Sequence, residues 1–171
     1  MTRIAISDSF GGNIVLKRSC SPSRVACRAI SGLLSQATRL GEQLRFNTMF
    51  PPKLSEIAIL VTARHWTSHY EWYAHKRLAL KGGMDAKIID AIRDRRTPDF
   101  DDPKGQMIYD VAKALHEGHT LPKPLYEAAV ELLSMRGLVE VIGLCGYYTM
   151  VSMTLNTFEF DLPDGQVSEL A

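Results

Sequence analysis

The chain has 171 residues, 46% apolar and 23% charged, with a net charge of +1. These are values of an ordinary globular chain long enough to bury one real core, and a balance this close to neutral excludes a global field for nucleic acid or a membrane surface. Three scattered cysteines, Cys20, Cys27 and Cys145, form no C-x-x-C, which excludes a zinc ribbon and a dithiol redox motif and fits a reducing cytoplasm.

Arg3 is followed by no apolar run with a small-residue cleavage site, so no signal peptide is expected. Residues 1–25 carry little pattern. Ile4–Ile6 and Ile14–Leu16 suit two short strands around Phe10-Gly11-Gly12-Asn13, or equally an arm without fixed structure. From Val25 to Phe46, Ile30, Leu33, Leu34, Ala37, Leu40 and Leu44 recur near 3.6 spacing and predict a helix weakened at Gly41. Asn47 to Pro52 connects, and Pro52 fits the first turn of a second helix running to about Trp66. Ser68-x-x-Glu71 matches a capping box that starts a third helix, and Gly82-Gly83 stops it. Asp85 caps a short helix to about Asp94. Asp102-Pro103 opens the next, which ends near Gly118. Pro122 and Pro124 open another that ends at Gly137. Leu138 to about Asn156 reads as a buried helix, because Glu140, Asn156 and Glu159 interrupt the apolar window that a membrane span would need. The whole predicts an all-α fold, a compact bundle of six or seven helices with short connections. Residues 1–25 form the poorly patterned arm, 26–165 the helical domain and 166–171 a frayed tail.

The chemistry concentrates between Ser55 and Gly83, which holds three of the five histidines and both tryptophans. On a helix, Glu71 and His75 lie four apart on one face, with Ser68 on the same stripe. A carboxylate beside an imidazole suits acid–base work, since the ring titrates near neutrality. The plainer reading leaves Glu71 closing the capping box and His75 as a hydrogen-bonded helix residue. Glu56 has the same two readings. It is a core carboxylate amid Leu54, Ile57, Leu60 and Val61 that relays protons, or a first-turn glutamate held by the helix dipole. His65, His69, Glu71 and His75 include one i, i+4 histidine pair, but not the H-E-x-x-H arrangement of helix-borne zinc, and no metal is expected. Trp66, Tyr70, Trp72 and Tyr73 read as packing, or as the wall of a pocket for a flat ligand. Tyr147 and Tyr148 read as packing first, with reach into a pocket as the alternative, and Cys145 reads as a small core residue rather than a nucleophile.

Glu56, Ser68, Glu71 and His75, spaced by twelve, three and four residues, resemble the motif of the carboxymuconolactone decarboxylase family, which includes the alkylhydroperoxidase D-like proteins. Leu40–Phe46, Pro52-x-Leu54-x-Glu56-Ile57, Tyr70-Glu71-Trp72-x-x-His75, Leu138-Val139-Glu140, Gly146-Tyr147-Tyr148 and Leu155-Asn156-x-Phe158 extend the resemblance from about Leu33 to Gly165. Redox members carry two cysteines where this chain has Ser68 and Glu71, a departure that removes disulfide chemistry. The resemblance implies an alkylhydroperoxidase D-like helical fold and homo-oligomers, commonly trimers or hexamers. It also implies a cofactor-independent, decarboxylase-like enzyme acting on a small carboxylated lactone or ring acid. His75 then transfers the proton at the carbon that loses carbon dioxide, Glu71 orients it and Glu56 tunes or relays. Ser68, His69, Tyr70 and Trp72 surround the substrate, with His69, Tyr70 or a partner subunit as candidate donors to the enolate. The expected partner is a small molecule, with neither nucleic acid nor membrane. The alternatives are a thiol peroxidase, disfavoured by the missing cysteines, and an oligomeric binding protein that uses the same pocket without turnover.

Overall fold

The computed structural model describes residues 24–163 and 165–170. The described residues are all helical in their regular structure. The helices are α1 (Arg24–Phe46), α2 (Pro52–His65), α3 (His69–Lys81), α4 (Ala86–Arg93), α5 (Pro103–Gly118) and α6 (Lys123–Thr157). Of the arm expected over residues 1–25, only the last two, 24 and 25, are described, and they open α1. The strands expected around residues 4–16 lie outside the described residues.

The sequence punctuation sets most helix ends. Asp85 and Asp102 cap α4 and α5 by accepting the backbone N–H of Lys87 at 2.8 Å and of Lys104 at 2.9 Å. Gly83 takes a positive φ of 82° just past α3, where a side chain would be strained.

The middle of the bundle is α2. Every residue from Leu54 to Ala63 is buried, and α3, α4, α5 and α6 all pack on it. A helix surrounded on all sides has no solvent face to carry polar residues, so the polar side chains it does bury, Ser55, Glu56 and Thr62, need partners inside the protein. Helix α1 lies against α6, where Gly41 has no room for a side chain because a Cβ there would meet the Tyr147 hydroxyl at 2.5 Å. The glycine expected to weaken α1 is therefore where the two helices approach. Glu140 ties the α1–α2 connector to α6, accepting from Thr48 Oγ1 at 2.6 Å and from the Met49 N–H at 2.9 Å.

Two expectations differ from the structure. The break expected at Gly137 falls at Ser134, whose backbone has φ 68° and ψ 165°. Ser134 caps the second stretch of α6, its Oγ accepting the Gly137 N–H at 3.3 Å. Gly137 itself is set by packing, since a Cβ there would meet the Phe50 ring at 3.0 Å. The tail expected to fray lies against α3 instead: Leu170 is buried, and Glu169 accepts from Lys76 Nζ at 2.6 Å and Trp72 Nε1 at 3.4 Å. No helix among the described residues is long and apolar enough to cross a membrane. The helix expected to be buried from Leu138 leaves one stripe exposed, with Val139, Ile142 and Met153 open to solvent.

Candidate functional site

The α2–α3 turn creates the site. α2 ends at His65, Thr67 takes a positive φ of 47°, and the chain restarts at His69. This reversal lays α3 along α2 and brings Glu56 opposite His75. The two side chains meet in the core, His75 Nδ1–H donating to Glu56 Oε2 at 2.6 Å. On the other edge of the ring, Nε2 lies 3.2 Å from Glu71 Oε2, one helical turn back on α3. That oxygen is within ion-pair reach but off the ring N–H axis, and it has no hydrogen-bond partner. All three residues are buried, at 4%, 5% and 6% exposure for His75, Glu56 and Glu71.

The electrostatics follow from this sandwich. Burial alone pushes an imidazolium toward losing its proton. The charges of Glu56 and Glu71, with the hydrogen bond to Glu56, outweigh that and lift His75 to about 9. At neutral pH the ring is therefore an imidazolium between two carboxylates, a proton donor rather than a base. Tyr148 of α6 closes the group, its ring edge-on to His75 with centroids 4.8 Å apart. Burial, with the charge of Glu71, holds its phenol well above the usual range, so it keeps its proton.

The capping box does not form. Ser68 is the N-cap residue by position, but its side chain makes no cap hydrogen bond, and its Oγ is fully buried without a partner. Glu71 is turned toward His75 instead. Ser68 lies on the same helical stripe as both. The dipole reading of Glu56 also fails to describe it, since the carboxylate faces the His75 ring rather than solvent.

The remaining sequence-predicted residues point elsewhere. His69 meets Ser168 Oγ of the tail, and Tyr70 packs edge-on against Phe160 at 4.7 Å between centroids. Trp72 is buried, with its indole N–H on Glu169. His69 and Trp72 thus seat the tail, and Tyr70 packs on Phe160 just after α6. His65 and His69, read as a helical pair, fall on separate helices, and among the described residues no group of three or more His, Cys, Asp or Glu is placed to hold a metal ion. Cys145 is buried as a free thiol, and burial pushes it up to about 11. The residue that sequence reasoning read first as packing, and not as part of the site, is Tyr148. Its only sequence signal was the aromatic pair after Gly146.

No protein-family model matches the chain, and no curated protein sequence matches it.

Proposed function

We propose that the chain is a cofactor-independent, decarboxylase-like enzyme of the carboxymuconolactone decarboxylase type, acting on a small carboxylated lactone or ring acid. The observation that carries this reading is the buried imidazolium held by Glu56 at Nδ1, with Nε2 beside Glu71. When carbon dioxide leaves such an acid, the C–C bonding pair stays on the substrate as an enolate, and a proton must reach carbon. His75 supplies that proton from Nε2 and is recharged from solvent. Glu56 fixes the ring, as the hydrogen bond at 2.6 Å implies, and Glu71 guides the proton at Nε2. The roles expected of the two glutamates are thus exchanged. Tyr148, a neutral phenol against the ring, is the donor nearest the developing enolate charge. Ser68 Oγ and Glu71 Oε2, buried without partners, are groups that a bound polar molecule would satisfy. The raised Cys145 thiol argues against the peroxidase alternative.

Assembly and compartment belong to the same reading. A second copy of the chain would cover Met135, Val139, Ile142 and Met153, apolar side chains exposed at heptad-like spacing along α6, giving a homo-oligomer in the cytoplasm.

The test is carbon dioxide release from a γ-carboxylated muconolactone between pH 5 and 10, with wild type beside Glu71→Gln and His75→Ala. An acid of this kind keeps the rate level up to neutrality and loses it as pH rises through about 9. His75→Ala should abolish release with the helical signal intact. Full activity in that variant sinks the mechanism, and no release from any carboxylated lactone or ring acid by the folded wild type sinks the assignment.

A further inference from the structure

A second cluster of titratable groups lies at the opposite end of α2, where α2, α4 and α5 all finish. An open cleft there encloses about 100 Å³. Its floor is apolar, made by Val61, Ile92 and Tyr109, each under a tenth exposed. Its rim carries three formal cations, Arg64, Arg95 and Lys113, against one carboxylate, Glu117. His65 and His116 complete the wall as a stacked pair, 4.7 Å between centroids and 20° between planes.

Helix C-termini attract cations, and that accounts for Arg64, His65 and His116 in the last turns of α2 and α5. It does not account for the other two. Lys113 stands more than a turn before the end of α5, its Nζ 6.0 Å from the centre of the Tyr109 ring. Arg95 lies beyond α4 in a closed turn, its N–H on Ile92 O at 3.1 Å and the Arg96 N–H on Ala91 O at 2.9 Å. This is the position where helices place glycine, and Arg95 holds it with a positive φ of 57°. A strained arginine where glycine would be at ease needs a reason in its side chain.

The two imidazoles of the wall are both shifted first by burial. The Thr62 hydroxyl donates to Ala58 O at 2.8 Å, so it receives the Nε2–H of His116, also at 2.8 Å. The ring can make that donation in either charge state, and when it is neutral Nδ1 is its basic nitrogen. Burial, helped by His65 and His119, pushes it down to about 4. Burial and then Arg95 lower His65, against Glu117.

The geometry points to a binding site for a small organic carboxylate, its charged end on Arg95 and Lys113 and its apolar body on Val61, Ile92 and Tyr109. The site is separate from the Glu56–His75–Glu71 cluster and does not rest on the proton-transfer reading. A bound anion adds negative charge beside His65 and His116, so their titrations move up.

The probe is benzoate, titrated into the full chain while the histidine ring signals are followed by NMR, with sodium chloride at matched ionic strength as the control. Saturable shifts of the His65 and His116 signals are expected. Lys113→Gln and Arg95→Gly should each weaken binding at least tenfold. Arg95→Gly should keep or raise Tm, which separates a binding role from a structural one. Glu71→Gln should bind as wild type does. The proposal is overturned by shifts that do not saturate, by equal shifts in chloride, or by binding unchanged in both cleft variants. Loss of binding in Glu71→Gln also overturns it, because the ligand would then sit at the other cluster. Inorganic phosphate binding as tightly as benzoate would overturn the role given to the apolar floor.

Discussion

His75 and His116 are both desolvated imidazoles packed against α2, and they end in opposite charge states. His75 lies between two carboxylates and is lifted to about 9, whereas burial, helped by His65 and His119, pushes His116 down to about 4. Burial pushes both the same way, toward the neutral ring. What differs is whether a carboxylate opposes burial. At His75 two of them outweigh it, whereas at His116 burial is the largest effect and no carboxylate offsets it, so an opposite charge within reach decides what a buried histidine can do. One cluster holds a proton on a buried ring between two carboxylates. The other gathers three cations and one carboxylate around an open cleft.

The largest expected effect comes from breaking the buried cluster. Glu56→Ala removes the hydrogen-bonded partner of a buried charge, a change that costs roughly 3–5 kcal/mol in comparable pairs. Urea unfolding at pH 7 checks it, and the His75 signal should titrate at lower pH in the variant, if it remains folded. A cost under about 1 kcal/mol would mean that the pair contributes no more than an exposed one.

Next in size is the pH dependence of stability, whose two halves belong to the two regions. His75 has a folded value above its unfolded 6.5, so native protein binds more protons and its contribution is full below 6.5. It is lost as pH rises through about 9, to the extent of about 3 kcal/mol at 1.36 kcal/mol per unit. His116 has a folded value below 6.5. Its contribution is present above 6.5 and is lost as pH falls toward 4. It is the smaller of the two, since His116 is only half-buried and water screens it. Denaturation at a series of pH values should therefore give a maximum between the two slopes. His75→Gln should flatten the alkaline side alone.

Thr62→Val tests the cleft on a smaller scale. It strands the Nε2–H of His116, and with water able to reach that ring the cost should sit near 1 kcal/mol, the low end for an unmade hydrogen bond. Thermal unfolding measures it, and the His116 titration should shift while that of His75 stays in place.

The two regions also differ in how far the sequence announced them. Helix boundaries were legible wherever a residue type has a single backbone consequence, as at Pro52, Gly82-Gly83, Asp85 and Asp102-Pro103. Glu71 and His75 were legible as a pair because helical spacing is local. That Glu56 would join them was open, since it depends on α3 folding back over α2 across 19 residues. Ser68 shows the limit of a local pattern. Ser-x-x-Glu permits a capping box, but an imidazole next to Glu71 competes for the same carboxylate and takes it. The docked tail was hidden for a similar reason. Glu169 and Leu170 look like polar fraying until Lys76, Trp72 and the core offer them partners. Nothing local joins His65 to His116, Arg95 and Lys113, because three separate helix ends have to converge before the cleft exists.

The smallest predicted effect carries the sharpest contrast between the two regions. In the buried cluster, losing Glu56 takes the hydrogen-bonded partner from a buried imidazolium, and stability falls. In the cleft, losing Arg95 should do the reverse. A side chain in the left-handed region costs roughly 1–2 kcal/mol, and Arg95 holds φ at 57°. Arg95→Gly removes that strain and one like charge beside His65. It also widens the range of unfolded conformations, which takes back about 0.4–1 kcal/mol. The net should be a gain of about 0.5 kcal/mol, seen as a small rise in Tm. A fall of more than about 1 kcal/mol would mean that the Arg95 side chain holds the turn together, and the cleft would then be a structural joint rather than a site kept at some cost to stability.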